Sequence, residues 1–373
     1  MWKEAIEDAV RKTRVNINRF EGLFPHVSHK GKYHLNANTD WTSGFWPGIL
    51  WLCYEYSGDI TFREEARKTV GSFRNRLDTN TKLEHHDIGF LYSLSSKAQW
   101  LVEGDIHAKE LTITAADVLM KRWRPTMQIL QAWGPEGDEQ NGGRMIIDSL
   151  MNLPLLYWAY EVTGKQEYYH VSVAHADNCR RFLVRGDDSS YHTFYFDQAT
   201  GESLRGGTQQ GYENGSTWTR GQAWGIYGFT LSYHYTKNSL YLETALRLAL
   251  YFLERLPKDH VVYWDFDAPI TTDTKRDSSA SAIAACGIME LLRHLPSDHK
   301  DYPFLLAGVH RSMRGLVEHY STVNKPDAEG YIERGSYSVR GGHAPDDYMI
   351  WGDYYYLEAL MRLERGHKGY WYE

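Results

Sequence analysis

The chain has 373 residues and a formal charge of −7, from 41 Lys and Arg against 48 Asp and Glu, which argues against nucleic acid as its partner. No stretch approaches the ~18 continuous apolar residues of a membrane span, and "MWKEAIEDAV" at the start alternates charged with apolar residues instead of forming the core of a leader peptide. Three sparse cysteines without metal-like spacing fit buried thiols in a reducing cytoplasm.

Apolar residues at three- and four-residue spacing predict twelve helices, over 2–20, 43–57, 60–77, 87–103, 106–124, 143–163, 166–183, 218–236, 239–256, 277–294, 301–320 and 346–364. Two short segments, "TFYF" near Phe194 and "VVYWDF" near Trp264, read as hairpin arms within loops. Short links such as "YSGD", "VTGK" and "YTKN" follow the even-numbered helices, whereas a long loop precedes each of them. In an antiparallel array the long loops then share one face, at the N-termini of the even helices. Those helices are also the more apolar, as in "GFWPGILWLCYEY", and belong inside the layer. Six apolar helices inside six amphipathic ones make an all-α (α/α)6 barrel, with minor β-hairpins in its loops. "WTSGFWPGI" and "WTRGQAWGI" echo one another at the openings of two even helices, as a repeated hairpin plan requires. No linker composition interrupts 1–373, so a single catalytic domain is expected. A rim of helix N-termini favours an anionic group, and a carboxylated sugar would fit it.

On that rim "LEHHDIGFLYS" places His85, His86 and Asp87 in a row. Consecutive helical residues fan out by about 100° each, so the three cannot face one ion, and no metal site is expected. Asp87 reads either as a helix cap or as half of an acid–base pair. Asp148, in "GGRMIIDSLMNLPLLYW", sits among apolar neighbours, where an unpaired carboxylate gains a raised pKa. The alternative is a buried ion pair with Arg144 one turn earlier. If Asp87 faces Asp148, repulsion pushes their pKa values apart, as an acid and an ionised partner require.

The longest loop carries His192 and Gln210 and leads to Arg220 and Trp224, which at i, i+4 share a helix face suited to clamping a carboxylate beside an indole. Trp41, Phe45 and Trp133 lie on or next to other rim loops, and the surplus of aromatics (13 Trp, 27 Tyr, 13 Phe) leans toward sugar stacking. "ERGSYSVRGGHAPDDYMIW" reads as a Gly-rich flap with Tyr337, Arg340 and His343, followed by Asp346 and Asp347 as caps of the last helix.

Taken together, "NTDWTSGFWPGILWLCYEY", "HHDIGFLYSLS", "GGRMIIDSLMNLPLL", "RGDDSSYHTFYFD", "GSTWTRGQAWGIYGF", "YWDF", "RDSSASAIAACG", "ERGSYSVRGG" and "IWGDYYYLEAL" resemble glycoside hydrolase family 88, the bacterial unsaturated glucuronyl hydrolases, collinearly over the whole chain. The resemblance implies an (α/α)6 barrel without a cofactor. It also implies release of a 4,5-unsaturated uronic acid from the non-reducing end of a lyase-made oligosaccharide, by hydration of a vinyl ether. By this likeness Asp148 is the acid/base and Asp87 the second carboxylate. His86, His192, Gln210, Arg220 and Trp224 are then contacts around the unsaturated sugar, and Trp41, Phe45, Trp133 and Tyr337 line the cleft. The flap offers only Arg340 and His343 as extra polar contacts, so unsulfated substrates are expected. An unsaturated rhamnogalacturonyl hydrolase, a sugar epimerase and a non-catalytic glycan-binding barrel are the competing readings.

Overall fold

Twelve helices form where the apolar spacing runs, in a computed structural model that describes residues 1–373. They are α1 (Trp2–Phe20), α2 (Phe45–Ser57), α3 (Ile60–Asp78), α4 (Ile88–Tyr92, a π turn at Ser93–Lys97, then Ala98–Glu103) and α5 (Ile106–Met120). Next come α6 (a 3₁₀ turn at Ile147–Met151, then Leu153–Thr163), α7 (Gln166–Asn178 with a π turn at Cys179–Leu183) and α8 (Thr219–Thr236). The last four are α9 (Ser239–Glu254), α10 (Ser278–Leu292), α11 (Tyr302–Gly315 with a π turn at Leu316–Tyr320) and α12 (Ile350–Arg365).

The even helices touch in cyclic order and close where α12 meets α2. Burial separates the two rings. Every residue of α10 except Met289 is buried, and α8 is buried without a break from Thr219 to Ser232. The outer α1 instead buries a stripe that includes Ala5, Ile6, Ala9, Thr13, Asn16 and Phe20. The chain reverses sharply after α2 and α6 because Gly58 (φ 71) and Gly164 (φ 73) accept the left-handed conformation at their C-caps. Asp59 and Asp105 cap the outer helices α3 and α5, which follow α2 and α4, accepting from the backbone N–H groups of Thr61 and Ala108.

Small antiparallel sheets stiffen the loops: β1 (Phe24–His29) with β2 (Lys32–Asn36), β3 (Trp123–Arg124) with β4 (Ile129–Leu130), and β5 (Arg144–Ile146), β6 (Thr193–Phe196) and β7 (Ser203–Gly207) in that order. "TFYF" is β6, as expected, but "VVYWDF" forms only isolated bridges, Trp218 to Asp265 and Tyr263 to Arg276. Three expected helix ends also shift. Residues 121–124 turn out of α5 so that β3 can pair with β4, and residues 144–146 are drawn into the β5–β6 ladder before α6 begins. The predicted capping by Asp346 and Asp347 is corrected as well: α12 starts at Ile350, because Asp347 and Met349 are held extended by bridges to Gly335 and Val27. Asp347 accepts from the Ser28 hydroxyl at 2.9 Å.

The end of the barrel opposite the long loops is stopped by the chain terminus. Tyr370, Trp371 and Tyr372 are all buried. The Trp371 ring stacks on Tyr355 (centroids 6.0 Å apart) and its indole N–H donates to Glu358 at 3.0 Å. Its carbonyl accepts from the Lys97 ammonium at 2.7 Å and from the Tyr235 hydroxyl at 2.8 Å. Burial pushes Lys97 down to about 7. No helix is long and apolar enough to cross a membrane.

Candidate active site

At the loop end of the barrel lies a cavity of about 330 Å³, walled by Trp41, His86, Asp87, Trp133 and Asp148, with Gln209, Gln210, Tyr337, Ser338, Gly341 and His343 above them. Both carboxylates picked out in the sequence therefore open into one hollow. A wider hollow of about 540 Å³ at the other end, around Glu55, Trp100 and Tyr370, contains neither.

Asp87 stands immediately before α4 but makes no capping bond with its side chain. Its loop is pinned from both sides. The His86 N–H donates to the Ala132 carbonyl at 2.9 Å, and the Asp87 N–H donates to His85 Nδ1 at 3.1 Å. His85 in turn reaches the Lys82 carbonyl through Nε2 at 2.9 Å, and its Nδ1 lies 3.5 Å from Asp87 Oδ2. The Asp87 carboxylate meets His86 Nε2 and Asn152 Nδ2, each 3.4 Å from Oδ1. Burial works to raise its pKa, but the two histidines and Asn152 outweigh it and hold the carboxyl below its usual value. Burial drives His86 down to about 4, so it faces Asp87 as a neutral donor, and Asp87 is the charged member of the pair.

Asp148 occupies the 3₁₀ turn that opens α6, with its side chain 17 % exposed toward the cavity. Its Oδ1 is shut from solvent without a hydrogen-bond partner in the protein. Burial and then the charge of Asp87 raise its pKa to about 7, with Arg220 offsetting part of the shift. The nearest polar neighbour is His192, whose Nε2 lies 3.9 Å from that oxygen. His192 Nδ1 accepts from the backbone N–H groups of Gln209 (3.0 Å) and Gln210 (3.3 Å), which leaves the ring proton on Nε2, pointed at Asp148. Burial, with Arg220 and Arg144 nearby, keeps this ring neutral. Two carboxyl groups, one ionised and one retaining its proton near neutrality, face a single cleft. That arrangement can give a proton and stabilise the cation that results.

The aromatic wall is braced from behind. The Trp41 indole N–H donates to the Tyr337 hydroxyl at 3.3 Å, and the Gln210 amide donates to the Tyr337 carbonyl at 3.0 Å. Arg144 does not pair with Asp148. It lies on β5, with its guanidinium over Trp133 (5.2 Å) and donating to the Tyr195 hydroxyl at 2.9 Å, because the strand turns its side chain away from α6.

Four expected contacts are not brought to the cleft wall, and one of them, His192, is buried beside Asp148. Phe45 is fully buried behind Trp41, against Phe90 and Tyr354. Trp224 is 1 % exposed, wedged between Phe90 and Tyr355, so its ring has no free face. Arg220 is committed elsewhere: its guanidinium pairs with Asp277 at 2.5 Å, donates to the carbonyls of Ser336 and Tyr337, and lies over Trp218. It anchors the flap and acts on Asp148 through its field. The shared face of Arg220 and Trp224 exists, but it is turned into the core.

Sequence reasoning passed over Asn152 and Gln209. Asn152 Oδ1 accepts the Phe90 N–H at 2.9 Å, while Nδ2 reaches Asp87 Oδ1 and the Asp148 carbonyl, each at 3.4 Å. One amide therefore ties α4 to α6 beneath both acids. A lone buried Asn four residues after Asp148 in an apolar run was the available signal.

A family model described as Glycosyl Hydrolase Family 88 matches residues 16–368. An unsaturated glucuronyl hydrolase of Bacillus sp. (strain GL1) is 60% identical over 374 residues, covering 100% of this chain and 99% of that protein. The crystal structure of unsaturated glucuronyl hydrolase from Bacillus sp. GL1, described as responsible for the degradation of glycosaminoglycan, superposes with a TM-score of 0.98 at 60% identity, over 100% and 99% of the two chains. An unsaturated chondroitin disaccharide hydrolase of Streptococcus pneumoniae (strain ATCC BAA-255 / R6) is 42% identical over 99% of this chain and 93% of its own.

Proposed function

Because the chain belongs to glycosyl hydrolase family 88, we propose that it removes a 4,5-unsaturated uronic acid from the non-reducing end of short lyase-made oligosaccharides, adding water across the C4=C5 vinyl ether. The observation that carries this reading is the contrast between its two carboxyl groups. Asp148, raised to about 7, is still about half protonated at neutral pH, where Asp87 is ionised.

The chemistry follows from that contrast. Asp148 gives its proton to C4, and the electron pair of the double bond moves to form the new C–H bond. Positive charge then spreads over C5 and the ring oxygen, where the fixed anion of Asp87 lowers its energy. Asp148, now ionised, takes a proton from the water that adds to C5, which restores the acid. The resulting hemiketal opens to a ketone, and the anomeric carbon, left as a hemiacetal, expels the aglycone as an alcohol. No bond at the anomeric carbon is attacked directly, so the carboxylate-separation rule for retaining and inverting enzymes does not apply. His192 Nε2–H faces Asp148 from 3.9 Å, His86 and Asn152 position Asp87, and Trp41, Trp133 and Tyr337 supply surfaces for the sugars. Gln210 fixes the flap that bears Tyr337.

A cavity of about 330 Å³ is at the small end for ligand sites and suits the terminal sugar with its neighbour. Arg340 is exposed and outside the cavity wall, which supports unsulfated second sugars; Ser338 and His343 are the polar groups at that rim. We further assign the protein to a reducing cytoplasm, as one barrel domain acting on a saccharide without a nucleic-acid or membrane partner. Its three buried, unpaired cysteines and its negative charge support this.

The test is hydrolysis of unsaturated disaccharides in deuterated water, followed by loss of the enol-ether absorbance and by NMR. Deuterium at C4 of the released keto acid is expected. Asp148→Asn should lower kcat by at least about 10³-fold with little change in substrate affinity. Cleavage without label at C4, or a fully active Asp148→Asn, overturns the reading.

A further inference from the structure

We propose that His234, Glu290 and His294 form a binding site for one divalent transition-metal ion, of which zinc fits best, at the end of the barrel opposite the cleft. One donor atom from each residue lies within 4.8 Å of the others. His234 sits in the last turn of α8, Glu290 in the last turn of α10, and His294 just beyond it. Glu290 and His294 are i, i+4 apart, so they share a face, and His234 meets them from the neighbouring inner helix.

Two of the three donors face only one another, and the third faces no other polar group. Glu290 Oε1, His294 Nε2 and His234 Nδ1 are all shut from solvent, and none makes a hydrogen bond. Glu290 itself is fully buried. Leaving His234 Nδ1 buried and unpaired is costly, and it converges on the His294–Glu290 pair, so one ion shared by all three would satisfy it. His294 Nε2 is 3.3 Å from Glu290 Oε1, the donor spacing of a tetrahedral ion with bonds of about 2 Å, and no two of the three donors are farther apart than 4.8 Å.

The other oxygen of Glu290 is already anchored, by the Arg362 guanidinium at 2.9 Å and the Tyr372 hydroxyl at 2.7 Å. This anchoring orients the carboxylate, as an outer shell does for a metal ligand. Arg362 also pairs with buried Glu358, so two carboxylates share one guanidinium, with Lys237 and Arg293 the other cations near His234. Two imidazoles and a carboxylate are borderline donors that select zinc, nickel or copper over magnesium or calcium. The Tyr372 ring stacks on His234 at 3.9 Å and roofs the site. A bound ion would therefore tie α8, α10 and the chain terminus together.

The experiment uses the full chain, stripped with a chelator and titrated with Zn²⁺, Co²⁺ and Mg²⁺. One equivalent of Zn²⁺ is expected to bind and raise Tm while Mg²⁺ does neither, and Co²⁺ is expected to give the strong visible bands of a four-coordinate site. The double variant His234→Gln/His294→Gln should lose at least about tenfold in Zn²⁺ affinity and lose the Co²⁺ bands. If that variant does not fold, the Co²⁺-loaded wild type must show paramagnetically shifted imidazole N–H signals from two histidines. Absence of saturable Zn²⁺ binding, binding unchanged in the folded double variant, or Co²⁺ spectra without those histidine signals each overturns the proposal.

Discussion

Asp148 carries a cost that its chemistry explains. A carboxyl with a folded pKa near 7 keeps its proton while the unfolded chain has lost it, so stability falls as pH rises from the unfolded value, about 4, through about 7. The accumulated penalty is of order 4 kcal/mol. Asp148→Asn should therefore be increasingly more stable than wild type as pH climbs across that window, and level beyond it, as read from urea unfolding at several pH values. An advantage independent of pH would place the raised pKa elsewhere. The second cause of the shift gives a separate test. Removing the neighbouring charge with Asp87→Asn should lower the Asp148 pKa, seen directly by carboxyl NMR titration, and an unmoved pKa would deny the coupling. The raised pKa was legible from the sequence, since a lone carboxylate between Ile147 and Leu150 has no local relief. The orientation of Arg144 was not, because an apolar spacing that runs on through "GGRMIID" gives no sign that a strand some fifty residues later will claim Arg144 for a ladder with Tyr195. The same limit applies to Arg220, whose partner Asp277 is far away in the sequence.

Among elements, the inner helices approach so closely that single side-chain atoms are excluded. A Cβ at Gly228 on α8 would lie 2.3 Å from the Leu150 Cβ on α6. Gly228→Ala must push α6 outward and with it the turn bearing Asp148. A loss of about 1–3 kcal/mol in unfolding free energy is expected, with kcat falling more than stability alone accounts for. A variant as stable and active as wild type would mean that the two helices slide freely. Helix existence and ring assignment could be read from periodicity and from the alternation of short and long links. Helix starts were less legible where loops form sheet. The extended backbone at Asp347 and Met349 displaces the α12 start from 346 to 350, and its partners, Gly335 and Val27, come from two other loops. Tertiary pairing overrode local propensity there.

At the scale of the whole molecule, the ring closes because α12 returns to α2, and Tyr370, Trp371 and Tyr372 then fill its far end. Deleting residues 370–373 would strip Trp371 from Tyr355 and Glu358 and leave the Lys97 ammonium without its carbonyl. Losing a buried Trp alone costs about 3–5 kcal/mol, so the truncated chain should unfold at markedly lower urea, and an unchanged midpoint would mean that the terminus is ornamental. The barrel plan was visible in the link pattern. The terminal stopper was not, since "GYWYE" is too short to carry any periodicity.

That stopper makes the protein a cul-de-sac. A saccharide can only back out through the mouth by which it entered, so a long strand cannot be threaded and clipped repeatedly in one visit. Each encounter releases the one unsaturated end residue, the remainder has no C4=C5 bond left to hydrate, and both pieces must depart before another chain docks.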